Sequence, residues 1–196
     1  MHLESLHEVD EAANRIREEV DADDSVRVLV LKGAGGKAFV AGTDISQFTQ
    51  FKGPEDGIKY EKDGDKRSGR IARVKKPVIA QIEGYAVGGG FAITAGADIH
   101  IATPDAKFGV PTARTLGNCL SMKNYAMFAE LLGPSRVKEL MFTARLMSAD
   151  EALTAGFVHQ IIPNAEIGAK VKELAEKIAS HAPLTLWSTK EALRRI

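Results

Sequence analysis

The spacing of apolar and polar positions changes along the chain, and each change marks an element. Leu3, Leu6, Ala13, Ile16 and Val20 recur at helical spacing among charges, which predicts a surface helix over residues 3–20, broken by the acids at 21–24. Residues 26–31 (VRVLVL) form a near-continuous apolar run, the pattern of a strand buried on both faces. Phe39 and Val40 are extended again, and a short helix over 44–51 follows, which Thr43 or Asp44 can cap. Residues 51–68 are the most polar stretch. With Gly53, Pro54, Gly57 and Gly64 as breakers, they read as a mobile surface segment, partly helical. A buried strand over 77–82 comes next, then a small-residue helical run over 91–97 and a strand over 98–102. Phe108 and Gly109 begin an extended piece that stops at Pro111. Helices are predicted over 118–132 and 134–143, with Pro134 at a helix start, and from a capped start at Ser148 to Gly156. A strand over 157–162, an amphipathic helix over 166–180 and a last helix opened by Pro183 complete the chain. Short strands alternating with helices indicate an α/β fold.

Two turns carry candidate chemistry. AFVAGTDI (38–45) and GYAVGGG (84–90) each leave an apolar strand, use glycine and open a helix. Glycine lets the main chain approach a ligand closely, and the start of a helix leaves N–H groups without internal partners. Such a turn suits an anion, or an oxygen that becomes one during reaction; a tight strand-to-helix packing turn is the structural alternative. Two such strand ends aimed at one point would make a two-donor oxyanion hole. The GYAVGGG spacing does not fit a dinucleotide fingerprint, and KGAGGK (32–37) lacks the Ser or Thr that must follow a P-loop lysine.

Composition narrows the class. Twenty-six Lys plus Arg balance 26 Asp plus Glu, so no net field draws the chain to nucleic acid or anionic membrane. Cys119 is the single cysteine, which excludes an internal disulfide and any multi-cysteine metal site and fits a reducing cytoplasm. No apolar run approaches the roughly 20 residues of a membrane span, and the acidic amphipathic N-terminus is unlike a signal peptide.

The two turns, with FGVP (108–111) and LMSADEALTAGFVHQII (146–162), resemble the crotonase, or enoyl-CoA hydratase/isomerase, superfamily in the expected order. The resemblance implies an α/β spiral of ββα units, here shortened at both ends, with a core over 1–182 and the start of a C-terminal helical region at 183–196. It also implies homotrimers or hexamers, an acyl-CoA thioester as substrate, and no cofactor or metal beyond the coenzyme A that arrives with it. By motif position, the backbone N–H groups of Thr43 and Gly89 would hold the thioester oxygen and stabilise an enolate. Lys37, Ala41, Asp44, Ile45 and Gly88 fall where the family contacts coenzyme A; a helix cap is the structural reading of Asp44.

The departures are chemical. The two positions at which true hydratases carry glutamates are Ala92 and Thr112 here, which argues against hydration by two carboxylates. Thr112 would at most position a water or a substrate group. Glu83 reads as structural, and Cys119 as a buried thiol unless Arg114 activates it. Asn118 and Ser121 are candidates to hydrogen-bond the acyl group, and Glu61, Asp63 and Asp65 to reach the pocket in a closed form. The five histidines are assigned no role, and Trp187 reads as core or interface. The leading expectation is a lyase or isomerase of acyl-CoA (fatty acid) metabolism. The alternative is a non-catalytic CoA-thioester-binding or assembly subunit.

Overall fold

Through the first six strands, consecutive strands enter different sheets, and this alternation organises the molecule. The computed structural model describes residues 18–42, 45–115 and 117–196. Its strands are β1 (Leu29–Lys32), β2 (Ala38–Val40), β3 (Val78–Ile82), β4 (Tyr85–Val87), β5 (Ile99–Ala102), β6 (Lys107–Gly109), β7 (Met147–Ser148) and β8 (Gln160–Ile161). One sheet has the order β1-β3-β5-β8 and the other β2-β4-β6-β7. All neighbours are parallel except β6 and β7. Each strand pair (β1β2, β3β4, β5β6) therefore adds one strand to each sheet before the chain turns helical, which is a spiral of ββα units.

The corner between sheets needs glycine where it is tightest. Only Glu83 and Gly84 separate β3 from β4, and Gly84 sits at φ +64. A Cβ there would overlap the Lys37 carbonyl oxygen and lie 2.8 Å from its carbon.

The helices are α1 (Pro54–Ala72), α2 (Gly89–Ala95), α3 (Thr112–Thr115), α4 (Met122–Leu132), α5 (Pro134–Thr143), α6 (Ala149–Thr154), α7 (Ile167–Ala179) and α8 (Pro183–Arg195), with a 3-10 turn over Ile45–Gln50. The main core surrounds Phe91 on α2, which stacks on Phe128 of α4 at 4.6 Å and meets Phe157 at 5.2 Å. A second cluster, Ile79, Ile101, Ile167 and Val171, seats α7 on the β3/β5 sheet.

Several expectations need correction. The polar segment at 51–68 is mostly one continuous 19-residue helix, α1, despite its glycines. Pro54 opens it, Glu55 and Asp56 occupy its first turn and Arg70 its last, all favourable to the helix dipole. Its packing on α2, with Ile71 buried in the main core, supplies what propensity lacks. Among the described residues β1 is the edge strand of its sheet, paired only with β3, and it is mostly half-buried rather than buried on both faces. α4 starts at Met122, not 118, since the Ser121 side chain caps it by accepting from the Asn124 N–H at 3.2 Å. Residues 157–159 precede β8 as a turn, with the Phe157 and Val158 N–H groups both bonded to the Ala152 carbonyl. Of the N-terminal helix, residues 18–22 are helical and 3–17 lie outside the described residues.

Candidate active site

The ends of β2, β4 and β6 converge because their turns are glycine. Gly42 (φ +115) and Gly88 (φ +60) hold conformations that side chains resist. They lie side by side: a Cβ on Gly88 would come within 3.7 Å of the Gly42 Cα. The Gly88 N–H donates to the Gly109 carbonyl at 2.9 Å, which brings in the third strand end. Gly90 presses α2 onto β2, since a Cβ there would overlap the Val40 carbonyl oxygen and sit 2.7 Å from the Val40 Cβ.

Where these ends meet there is a cavity of ≈ 210 Å³. Ala41, Gly42 and Gly88 give it a main-chain floor, while Phe48, Val87, Val110 and Leu120 give it apolar walls. Its polar lining is Tyr60, Glu61, Thr112, Thr115 and Asn118, so Glu61 is the only carboxylate among the described lining residues. The Phe48 ring meets Phe51 at 5.0 Å and Tyr60 at 4.9 Å, both edge-on, which fixes one wall. The Thr115 hydroxyl donates to the Pro111 carbonyl at 3.1 Å. Among the described residues the buried Asn118 Oδ1 has no hydrogen-bond partner.

α1 is fastened at this wall by polar contacts. The Ser121 N–H donates to Glu61 Oε2 at 3.0 Å, the Ser121 hydroxyl donates to Asp65 Oδ1, and Lys123 Nζ donates to the Asp65 carbonyl at 2.8 Å. Asp63 instead pairs with Lys66 at 2.9 Å.

Of the residues singled out from sequence, Ala41, Glu61, Gly88, Thr112 and Asn118 line the cavity. Gly89 follows as the first residue of α2, where an N–H has no intrahelical acceptor. Thr43 and Asp44 lie outside the described residues, and Ile45 opens the 3-10 turn. Lys37 is exposed just before β2, at the end of that strand away from the cavity. Ala92 is buried within α2 and does not line the cavity. Glu83 accepts from Gln81 Nε2 at 2.7 Å, a structural role. Cys119 is exposed, which corrects its reading as a buried thiol. Phe48, Tyr60, Val110 and Leu120 went unnoticed in the sequence; the signal was an aromatic trio, Phe48, Phe51 and Tyr60, in an otherwise polar region.

His100 supports the site from behind. Its Nε2 lies 2.7 Å from the Thr94 carbonyl on α2, and its Nδ1 2.7 Å from the Phe157 carbonyl. Burial pushes its pKa down from the ordinary histidine value, outweighing the contact with the Phe157 carbonyl.

The sequence matches the family model for enoyl-CoA hydratase/isomerase over residues 2–196. The chain belongs to that family. A short-chain-enoyl-CoA hydratase of Clostridium acetobutylicum is 38% identical over 177 residues, 90% of this chain and 67% of that protein. A carnitinyl-CoA dehydratase of Escherichia coli is 34% identical over 172 residues, 88% of this chain and 65% of that protein. An enoyl-CoA hydratase structure from Bacillus anthracis superposes with a TM-score of 0.88 at 33% identity, covering 97% of this chain and 72% of that one. The chain thus spans about two thirds of the length of the curated relatives it matches. The spiral is that of an enoyl-CoA hydratase/isomerase, and its cavity lies at the two turns that carried the resemblance. Among the described residues no helix is long and apolar enough to cross a membrane.

Proposed function

We propose that this chain acts on an acyl-CoA thioester, adding water to or removing it from the acyl chain, or moving its double bond, through an enolate held by main-chain N–H groups of Thr43 and Gly89. The observation that carries this reading is the contact between the turns at Gly42 and Gly88 beside one cavity. Two donors aimed at one oxygen stabilise the charge that develops there, each worth about 3 kcal/mol. Ala41 and Gly88 would pass the pantetheine arm along the floor, with Asp44 and Ile45 beside it and Lys37 meeting the phosphates. Coenzyme A enters with the substrate, and neither a separate cofactor nor a metal is required. The enzyme works in the cytoplasm as a homotrimer or hexamer; exposed Leu184, Trp187 and Leu193 on α8 support assembly through that helix.

A second reading, a CoA-thioester-binding subunit without turnover, is favoured by one observation: Thr112 stands in the cavity and Ala92 outside it, and neither is an acid. Turnover of a panel of 2-enoyl-CoA and 3-hydroxyacyl-CoA thioesters separates the two. Gly89→Pro is the control, because proline is tolerated at the first helical position and removes the N–H. The enzyme reading expects about 10²–10³-fold loss of kcat in that variant with thioester binding retained. Binding without turnover of any thioester by the unaltered chain would leave the second reading standing.

A further inference from the structure

The cavity floor can hold an oxyanion but, among the described residues, contributes no proton-transfer group. Thr112 carries only a hydroxyl and Ala92 lies outside the lining. The acid on the facing wall comes from a different element, α1. α1 carries Glu61, Asp63 and Asp65, and their contacts separate them. Asp63 pairs with Lys66, and the Asp65 carboxylate takes the Ser121 hydroxyl. Glu61 alone of the three lines the cavity, its carboxylate anchored by the Ser121 N–H at 3.0 Å. In the same lining, Asn118 buries an oxygen that has no donor among the described residues. A buried acceptor without a partner is costly unless something that enters the site donates to it.

We propose that Glu61 is the catalytic acid and base of this cavity and that Asn118 positions the water, an assignment that rests on the acyl-CoA reading above. Water donates one hydrogen to Asn118 Oδ1 and the other to the Glu61 carboxylate, leaving a lone pair for the acyl chain. In hydration the water oxygen bonds to Cβ, the Cα–Cβ π bond breaks, and its electrons pass to the thioester oxygen as an enolate. Glu61 takes the water proton in that step. The enolate then collapses, and Cα receives the proton from Glu61, so one water is added and the carboxylate is regenerated. Dehydration is the reverse. One carboxylate serves both transfers, which explains how a family member functions with Ala92 and Thr112.

The test uses the full chain with two readouts: hydration of crotonyl-CoA, and exchange of the α-hydrogen of butyryl-CoA in D2O followed by mass. Glu61→Gln keeps an acceptor for the Ser121 N–H but cannot take a proton. Both rates are expected to fall at least about 10²-fold, with KM and the thermal midpoint unchanged. Glu61→Asp, which withdraws the carboxylate by one methylene, is expected to lower kcat about 10-fold or more without raising KM, and it keeps the assignment testable if the glutamine variant does not fold. Asn118→Leu is expected to lose hydration while keeping α-hydrogen exchange, because only the addition of water needs that acceptor. An active unaltered chain whose Glu61→Gln variant runs at full rate overturns this assignment alone. An unaltered chain that binds both thioesters and catalyses neither reaction overturns the acyl-CoA enzyme reading as well. Equal loss of both readouts in Asn118→Leu overturns the role given to Asn118.

Discussion

Gly90→Ala tests whether the close seating of α2 on β2 is what builds the site. The new Cβ would overlap the Val40 carbonyl oxygen and stand 2.7 Å from the Val40 Cβ and 2.9 Å from its carbonyl carbon. Carbon atoms rest at about 3.5–4.0 Å, so α2 must lift from β2 by about 1 Å. The groups to be displaced are backbone and a β-carbon, not the end of a flexible side chain, so relief is not local. Overpacking of this kind costs about 1–3 kcal/mol. For a chain of this length that is about 2–12 °C in the thermal midpoint. The functional loss should be larger than the stability loss, because α2 carries Gly88 and Gly89 with it, and a 1 Å misplacement costs about 10²-fold in rate. The assay is calorimetry in parallel with thioester turnover. Gly57→Ala is the opposite case: nothing lies within 4 Å of an added Cβ in the first turn of α1, so alanine should stabilise by about 0.4–1 kcal/mol. A Gly90→Ala protein that melts and turns over like the parent would refute the seating, and with it the shared position of the two turns.

Ser148→Ala removes a reciprocal cap at the start of α6, where Glu151 N–H donates to Ser148 Oγ at 3.2 Å and Ser148 N–H to Glu151 Oε2 at 2.8 Å. Urea denaturation should show a loss of about 1 kcal/mol through the midpoint, with the slope unchanged. His100 gives a pH dependence whose sign follows from its depressed proton affinity. The unfolded chain binds more protons below about pH 6.5, so this stability is complete above that pH and lost as pH falls. The thermal midpoint should therefore drop between about pH 7.5 and 5.5, and His100→Gln should flatten that slope. An identical slope in the variant would mean that the buried imidazole is not its source.

The two turns were legible because their residues have no alternative use: glycine at positive φ with a neighbour in contact is needed whatever the chain does. Ser148 and Glu151 were legible for the same reason, as a cap is a local contact. α1 was not, because Gly57, Gly64 and the charges around them weaken a helix locally, and docking on Ser121 and Lys123, about 55–60 residues away in sequence, decides the outcome. β7 was missed because two residues carry no period, and its pairing with β6 exists only in three dimensions. The spiral left no sequence repeat, since each unit keeps the strand pair but fills its helix differently, from 19 residues in α1 to 4 in α3.

Main-chain donors and a side-chain acid place different demands on a fold. The proposed donors are set by how β2 and β4 end, so any change at Gly88 or Gly90 is expected to disturb stability and chemistry together. The acid can come from any element that reaches the cavity, and α1 reaches it through contacts that a glutamine at position 61 would preserve. Stability and rate should therefore fall together at the glycines and separate at Glu61. This separation also explains how the spiral can keep its glycine turns while Ala92 and Thr112 stand at two positions where the resemblance implies acids.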